Sequence, residues 1–420
     1  FQDMETGENE FSQKNLCETF LVKSDFSFLN RKVDPIWKTS CCSHHQCFLT
    51  DYLLNGCLEE LIEPGQRTHS RLTELVTTVK RISAIIVEQK MSYPEMVQIS
   101  MGDFINRYIH DPMPLICYNV VDIWDNFLQS IVLETNLNNT KIEDNKILGS
   151  ICRNSMQKTT KFTIKILKSY MERTNVEFLT QSDWNYYYGK LGVHELVAPI
   201  ADMIVSHASR LVIEKQPIEM HFNEIRRTLL EGSPKARTAV QVKLLPRILK
   251  SGVLNDIFVK ARSSFFDVSD KFYSSANPVR SLEVRLLMAK FFVFDRNCPI
   301  STWRDCIDVK TIAKALLSVE TEVKMLAWYL ICQNPKLTRP FSYDELLLAK
   351  IFIFTNITEQ QPGMRQRIAT DFKALMIRMR ESYKLLAKNQ NTELLCDLAV
   401  SELFPENTKD NPALISTEGS

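Results

Sequence analysis

The chain has 420 residues, of which 45% are apolar and 24% charged, and only 11 are glycine. Because all-β folds and nucleotide-binding α/β folds depend on glycine-rich turns, the shortage of glycine argues against both. No dinucleotide-binding, P-loop or nucleophile-elbow motif occurs, so we expect no cofactor and no catalytic centre of the chain's own. The net charge of +1 gives no whole-chain signal for nucleic acid, and any RNA site must be a local basic patch.

Residues 1–50 form the least regular part of the sequence and are predicted to be an irregular N-terminal segment. Within it lies a cluster of possible zinc ligands, Cys41, Cys42, His44, His45 and Cys47. Ligands this crowded do not wrap a tetrahedral ion, and no Cys-x-x-Cys pair follows at a zinc-finger distance, so a turn or helix end is favoured over a metal site. The 11 cysteines are scattered, mostly among apolar residues, which predicts reduced thiols in a cytoplasmic protein.

From about residue 51 the apolar residues recur at helical spacing. Leu72 to Gln89 and Leu115 to Leu133 are predicted helices, and Trp124 and Phe127 are expected to face inward. Further along, four lysines at three- and four-residue steps are predicted to share one helix face: Lys158, Lys161, Lys165 and Lys168. Such a face either contacts phosphate or is simply solvated, and we favour the second. The aromatic cluster at 184–190 is predicted to be a packed inter-helix turn rather than a base-stacking platform.

A period follows. Helix-opening residues with a basic residue two to four positions later recur at Pro234, Pro278, Glu320 and Pro362, in steps of about 44, 42 and 42 residues. These steps are typical of HEAT-type helix pairs. Because a helix pair has two apolar faces and cannot bury both alone, neighbouring pairs stack.

Residues 319–388 predict three helices from local chemistry. The first ends near Asn334 and Pro335, since proline disfavours helix at and before its position. The second opens at Ser342, which forms a capping box with Glu345. The third opens at Pro362. The apolar positions of this third helix form one stripe: Ile368, Phe372, Leu375, Met379, Tyr383 and Leu386.

The turn between the first two helices, Gln333 to Ser342, reads Q-N-P-K-L-T-R-P-F-S and resembles a segment of the thyroid adenoma-associated protein family. The segments 362–366 and 378–382 resemble its next elements, with weaker similarity at 233–237 and 277–283. The resemblance implies a long α-helical scaffold, the non-catalytic partner of a ribose 2′-O-methyltransferase that modifies the tRNA anticodon loop. It also implies a link to a calcium pump and energy storage. Because the chain is much shorter than a full member, we expect a fragment or short isoform.

We therefore expect an all-α fold of the HEAT/armadillo-like helical-repeat class, an α-α superhelix. The helical-repeat solenoid is predicted over residues 51–404, with its clearest repeats at 190–390 and a polar disordered tail at 405–420. The expected function is a non-catalytic scaffold or regulatory subunit that supports tRNA modification in the cytoplasm. The alternative is a protein-only adaptor, for instance one that regulates a calcium pump without inserting into the membrane.

The residues expected to contact RNA are the basic side chains of two predicted repeat helices. Residues 233–254 contain no acidic residue, and 365–388 contain seven basic residues against two acidic ones. If equivalent helices line one surface, these side chains align into a track for a phosphate backbone. The alternative is that they are solvated faces that keep the repeat helices soluble. The predicted contacts are Lys235, Arg237, Lys243, Arg247, Lys250, Arg365, Lys373, Arg380 and Lys384. Pro246 lies inside the first of these helices and is expected to kink it.

Overall fold

The structure is a computed structural model, and it describes residues 50, 53–63, 65, 68–138, 141–260, 262, 265–267, 277–295, 298–333, 335–336, 340–356 and 361–387. Every regular element within these ranges is helical. The described residues fall into two compact units. The first contains those up to Trp184 together with Ala198–His207, and the second contains Asn185–Val197 and those from Ala208 onward.

The first unit is built from helix pairs arranged in two layers. One layer holds α1 (Asn55–Ile62), α3 (Glu95–Tyr108) and α5 (Lys146–Gln157) side by side. The other holds α2 (His69–Glu88), α4 (Pro114–Asn138) and α6 (Lys161–Thr174). Each odd helix also packs on the even helix that follows it. Gly102 allows the first layer to close up, because a Cβ atom at this position would lie 2.6 Å from the Ile147 methyl group.

The helix ends of this unit follow from local sequence. The Thr68 hydroxyl accepts a hydrogen bond from the Arg71 amide at 3.3 Å and caps α2. The Asn145 side chain caps α5, and Thr160 forms a capping box with Thr163 at the start of α6. Asn175 ends α6 in the left-handed region at φ 56°. Trp124 and Phe127 are fully buried, as predicted.

The repeat period is visible in hydrogen bonds between equivalent helices. Tyr108 Oη donates to the Leu61 carbonyl at 2.8 Å, 47 residues away, and Asn154 Nδ2 donates to the Asn106 carbonyl at 2.9 Å, 48 residues away. In the other layer, Asn126 Nδ2 donates to Ser83 Oγ across 43 residues. The period deduced from the C-terminal half therefore extends through the first unit.

The second unit continues the pattern. α7 (Gln181–Lys190) and α8 (His194–Ile213) contribute residues to both units. α9 (Glu219–Glu231), α10 (Pro234–Ala239), α11 (Leu245–Lys250) and α12 (Gly252–Lys260) follow. After them come α13 (Pro278–Phe294), α14 (Val309–Leu316), α15 (Thr321–Cys332), α16 (Tyr343–Asn356) and α17 (Pro362–Ala387). α13, α15 and α17 pack side by side, and α14 packs on both α15 and α16.

Three of the four predicted repeat starts begin a helix, at Pro234, Pro278 and Pro362. The fourth, Glu320, is the N-cap of the helix that begins at Thr321. Ser233 and Asn277 cap the first two of these helices with their side chains. A π-helical turn, Val240–Leu244, separates α10 from α11 just before Pro246. It accommodates a proline that has no N–H to donate, and it interrupts the α-helix just before Pro246. The predicted kink itself stays a prediction.

Two predictions about side chains are wrong in part. The stripe predicted on α17 includes Tyr383, which is 42% exposed, while Arg378 and Ser382 are buried on this helix instead. Lys158 does not share a helix with the three lysines that follow it, because it is the C-cap of α5 and α6 begins at Lys161. The chain must turn at residues 158–160 to reach the other layer, and the capping threonine marks that turn.

The predicted all-α, helical-repeat fold is confirmed. The proposed limits of the repeat region stay a prediction, and the cluster at 41–47 and the tail at 405–420 lie outside the described residues. α8 is one helix in the described part of the chain with the length and composition to cross a membrane. Its Ile200, Met203 and Ile204 are fully buried, and core helices of soluble proteins pass the same test.

Candidate functional site

The predicted RNA-contacting residues of α10 and α11 lie mostly at the surface of the second unit. Lys235, Lys243 and Lys250 are exposed, whereas Arg237 and Arg247 are half-buried. The Arg247 guanidinium donates a hydrogen bond to the Lys243 carbonyl at 3.0 Å, so it supports its own helix. Three of these five cations are therefore presented to solvent.

The predicted residues of α17 are all exposed: Arg365, Lys373, Arg380 and Lys384. Helical spacing places Lys373, Arg380 and Lys384 away from Leu375, which is fully buried. Glu381 forms ion pairs with Arg380 at 3.4 Å and Lys384 at 2.8 Å, which offsets part of the positive charge. The structure thus brings two of the four together around one carboxylate. Alignment of the α17 set with the α10–α11 set into one track stays a prediction.

Sequence reasoning missed a groove of about 610 Å³ on the face shared by α13, α15 and α17. Its charged lining combines both signs: Glu283, Lys290, Glu322, Arg367 and Asp371. Arg367 and Glu322 form an exposed two-bond ion pair, at 2.9 and 3.4 Å. The Lys290 ammonium lies 4.3 Å from the centre of the Tyr329 ring, which stacks on Phe294 at 5.1 Å.

The groove holds its charges at a cost in desolvation. Burial lowers the pKa of Lys290, and the nearby Asp371 carboxylate offsets part of that decrease. Burial also raises the pKa of Asp371, against a hydrogen bond from Gln333 and the positive charges of Arg367 and Lys290. Lys290 is half-buried and Asp371 is buried. Charged groups with shifted pKa values beside a concave surface are typical of functional sites, although structural ion networks shift pKa values too. We name this surface the α13–α15–α17 groove.

Sequence signals alone do not assemble this groove. Lys290 and Asp371 are 81 positions apart, and each looks like an ordinary exposed residue of an amphipathic helix. What brings them together is the repeat period, since α13, α15 and α17 place equivalent positions on one face. An alignment of the repeat sequences with one another would have placed the residues of the groove on the same face.

Beneath the surface, the second unit is held by a buried ion pair. Arg378 Nη2 donates to Glu345 Oε1 at 2.7 Å, and both side chains are almost fully buried. Trp303 Nε1 donates to the same Glu345 oxygen at 3.0 Å. Arg378 also donates to the Ile331 carbonyl and covers the Phe341 ring at 4.7 Å. This cluster, which we call the Glu345 staple, links α15, α16 and α17.

The turn that carries the family resemblance contributes directly to this staple. The Ser342 amide donates to Glu345 Oε2 at 2.9 Å and the Glu345 amide donates to Ser342 Oγ at 3.3 Å, which confirms the predicted capping box. The Lys336 ammonium donates to three backbone carbonyls, of Phe292 at 3.1 Å, Cys298 at 2.7 Å and Ile300. Burial lowers the pKa of Lys336. Within the part of this turn that the structure describes, Lys336 and Ser342 therefore have structural roles.

The aromatic cluster at 184–190 is packed, as predicted, but it forms helix α7 and not a turn. Trp184, Tyr187 and Tyr188 are buried, and only Tyr186 is well exposed, at 47%. The Tyr188 hydroxyl is hydrogen-bonded to His221 at 3.0 Å, and Trp184 stacks on His207 at 4.5 Å. These contacts explain the cluster as core packing.

In the ranges the structure covers, no group of three or more His, Cys, Asp or Glu side chains is close enough to hold a metal ion. Six cysteines in these ranges are free thiols: Cys57, Cys117, Cys152, Cys298, Cys306 and Cys332. Burial raises the pKa of Cys57 and of Cys306 to about 12, which keeps both thiols protonated and unreactive.

Residues 219–409 match the protein family described as "Trm732, TPR repeats". The tRNA (32-2'-O)-methyltransferase regulator THADA of Canis lupus familiaris is 26% identical over 189 residues, which are 44% of this chain and 9% of that protein. The Homo sapiens regulator is 29% identical over 115 residues, 27% of this chain and 6% of its own length. The Gallus gallus regulator is 29% identical over 109 residues, 26% of this chain and 5% of its own length.

The chain thus spans less than a tenth of each of these relatives in the matched stretches. No solved structure matches it. The hydrogen bonds between equivalent helices of the first unit span 43 to 48 residues, nearer to the roughly 40–47-residue HEAT period than to the 34 residues of a TPR repeat. The resemblance found in the turn at 333–342 is confirmed: over part of its length this chain is a distant homologue of the regulators of tRNA (32-2'-O)-methyltransferase.

Proposed function

We propose that this chain is part of a non-catalytic regulatory subunit that binds a tRNA ribose 2′-O-methyltransferase and supports its action on tRNA. The observation that carries the proposal is the coincidence of the match at 219–409 with a set of stacked helix pairs that present exposed basic side chains. A cytoplasmic location belongs to this proposal, and the free, buried cysteines are consistent with it.

In this proposal one surface binds RNA and another binds the methyltransferase. The exposed lysines of α10, the π-helical turn, α11 and α17 suit a phosphate backbone, because their ammonium groups can neutralise phosphates without reading bases, and Glu381 offsets only the charge near Arg380 and Lys384. The α13–α15–α17 groove suits a protein partner, because side chains of both charge signs line it together with the apolar Leu287, Met325 and Leu326. The methyltransferase is the partner that we assign to the groove.

The RNA contact is tested by charge reversal of four exposed lysines. The variant changes Lys235, Lys243, Lys250 and Lys373 to Glu. A control with the same net charge changes four other exposed lysines to Glu: Lys141, Lys146, Lys310 and Lys314. Binding of tRNA is measured at several salt concentrations. We expect the variant alone to weaken binding and to flatten the salt slope by about 3 units, since each phosphate that is no longer neutralised removes about 0.7. Equal effects of variant and control would overturn the RNA contact.

The partner contact is tested by pull-down of the methyltransferase after RNase treatment. Because the Lys290 and Asp371 side chains line the groove, we expect K290E/D371K to lose the methyltransferase while keeping tRNA binding. Recovery of the methyltransferase only in the presence of RNA would remove the assignment of the groove.

The mixed charge of the groove also favours one second function, a protein-only helical-repeat adaptor. In that case the pull-down recovers a protein partner that is not a methyltransferase, and the four-lysine variant does not change tRNA binding beyond the charge control. Regulation of a membrane calcium pump by such an adaptor stays a prediction from the resemblance.

A further inference from the structure

We propose that Tyr118, Lys161 and Lys165 form a second RNA contact in the first unit, one that holds a single-stranded segment by stacking a base on the tyrosine. This inference rests on the proposed function in taking RNA as the ligand. It concerns residues outside the 219–409 match, and its test measures RNA binding without the methyltransferase.

The geometry comes from packing between successive repeats. Tyr118 lies on α4, and both lysines lie on α6, the next helix in the same layer. The Lys161 and Lys165 ammonium groups are 5.0 and 5.6 Å from the centre of the Tyr118 ring. Phe162 meets the ring edge-on, with centroids 4.8 Å apart at 90°. The ring is therefore held in position by its neighbours while it remains 43% exposed.

Each group matches one part of a single-stranded nucleotide. An exposed aromatic ring stacks on an unpaired base of any identity, and a flanking ammonium contacts the phosphate on either side. A hydrogen bond from Lys161 lowers the pKa of Tyr118, which shows how close the cation lies to the phenol oxygen. In a duplex the base faces are already stacked, so the ring adds nothing to duplex binding.

Tyr329 also has a lysine over its ring, and the comparison shows how Tyr118 differs from it. Tyr329, in the second unit, has Lys290 at 4.3 Å and also stacks on Phe294 at 5.1 Å with an interplanar angle of 26°. Its ring faces are thereby engaged within the protein. Tyr118 has two lysine ammonium groups over its ring and Phe162 at 90° to it, yet its side chain stays 43% exposed, whereas that of Tyr329 is half-buried. The exposed part of the Tyr118 ring is the surface that a base would contact.

The test measures binding of the 420-residue chain to a single-stranded oligouridine and to an RNA duplex of equal charge, by fluorescence anisotropy at several salt concentrations. The variants are Tyr118→Leu, Tyr118→Phe and K161E/K165E. The control K141E/K146E changes two exposed lysines of the same unit by the same charge. Circular dichroism verifies that each variant is folded.

We expect Tyr118→Leu to bind the single strand about tenfold more weakly, which corresponds to about 1.4 kcal/mol of stacking. Tyr118→Phe keeps the ring and should retain most of the affinity. K161E/K165E should flatten the salt slope by about 1.4 units, at about 0.7 for each phosphate. The K141E/K146E control should leave the slope unchanged, and duplex binding should not respond to the change at Tyr118.

Equal affinity of Tyr118→Leu and the unchanged chain for the single strand would overturn the stacking proposal. Binding of polyglutamate instead of RNA would also overturn the proposal, because Lys161 and Lys165 would then bind an acidic protein partner. If these RNA results fail while the methyltransferase is still recovered through the groove, the Tyr118 site is refuted and the proposed function stands.

Discussion

Replacement of Arg378 by Met tests the Glu345 staple. At 2.7 Å the gross attraction between the two charges is about 6 kcal/mol in an effective dielectric of about 20, and desolvation of both groups opposes it. Removing one partner leaves the Glu345 carboxyl group without its counter-ion in a site where its side chain is only 3% exposed. The Ile331 carbonyl loses a donor as well, while Met keeps most of the packing on Phe341. We expect a loss of about 3–5 kcal/mol in the free energy of unfolding.

The assay is urea unfolding, followed by circular dichroism and by tryptophan fluorescence, since Trp303 donates to Glu345. The double variant E345Q/R378M removes both charges and keeps an acceptor for Trp303, so we expect it to lose only about 1–2 kcal/mol. The control Arg367→Met breaks the exposed pair with Glu322 and should cost less than about 1 kcal/mol. A loss below about 1 kcal/mol for Arg378→Met, or a double variant less stable than the single one, would refute this account of the staple.

Three further predictions use the same unfolding assay. Lys336→Met removes the donor to three carbonyls and should cost about 2–4 kcal/mol; an unchanged midpoint would mean that water replaces the ammonium. In the groove, Asp371 has a raised pKa, so its ionisation opposes folding above that pKa, and stability should increase as pH falls through it. Lys290 has a lowered pKa, so its charge opposes folding at neutral pH. K290M/D371N should therefore be more stable than the unchanged chain at neutral pH, and its stability should no longer rise as the pH falls. A destabilised double variant would contradict the view that the charges of Lys290 and Asp371 oppose folding. Asn175→Val should cost about 1 kcal/mol or more, because a β-branched residue is strained at φ 56°, whereas Asn175→Gly should be nearly neutral.

Features fixed by residues close in sequence could be predicted. The capping box at Ser342 needs only the residue three positions later, and the helix starts at Pro278 and Pro362 need only the preference of proline for the first turn. The period followed from these markers because each repeat opens in a similar way. These particular predictions are confirmed by the structure.

Features fixed by distant pairs were missed. Arg378 looks like a surface residue of α17, and its burial follows only from Glu345, 33 positions earlier. The stripe prediction failed at Tyr383 for the same reason, since the buried face of α17 runs through Arg378 and Ser382, and Ser382 accepts a hydrogen bond from the distant Phe341 amide. The groove and the Tyr118 contact each combine side chains from successive repeats, and helical periodicity within a single helix carries no information on that register.

The Lys336 ammonium joins the end of α13 to the backbone at Cys298 and Ile300, so one side chain holds three carbonyls together. A change at Lys336 therefore alters the framework of the second unit. A change at an exposed lysine such as Lys243 alters only what that surface can attract.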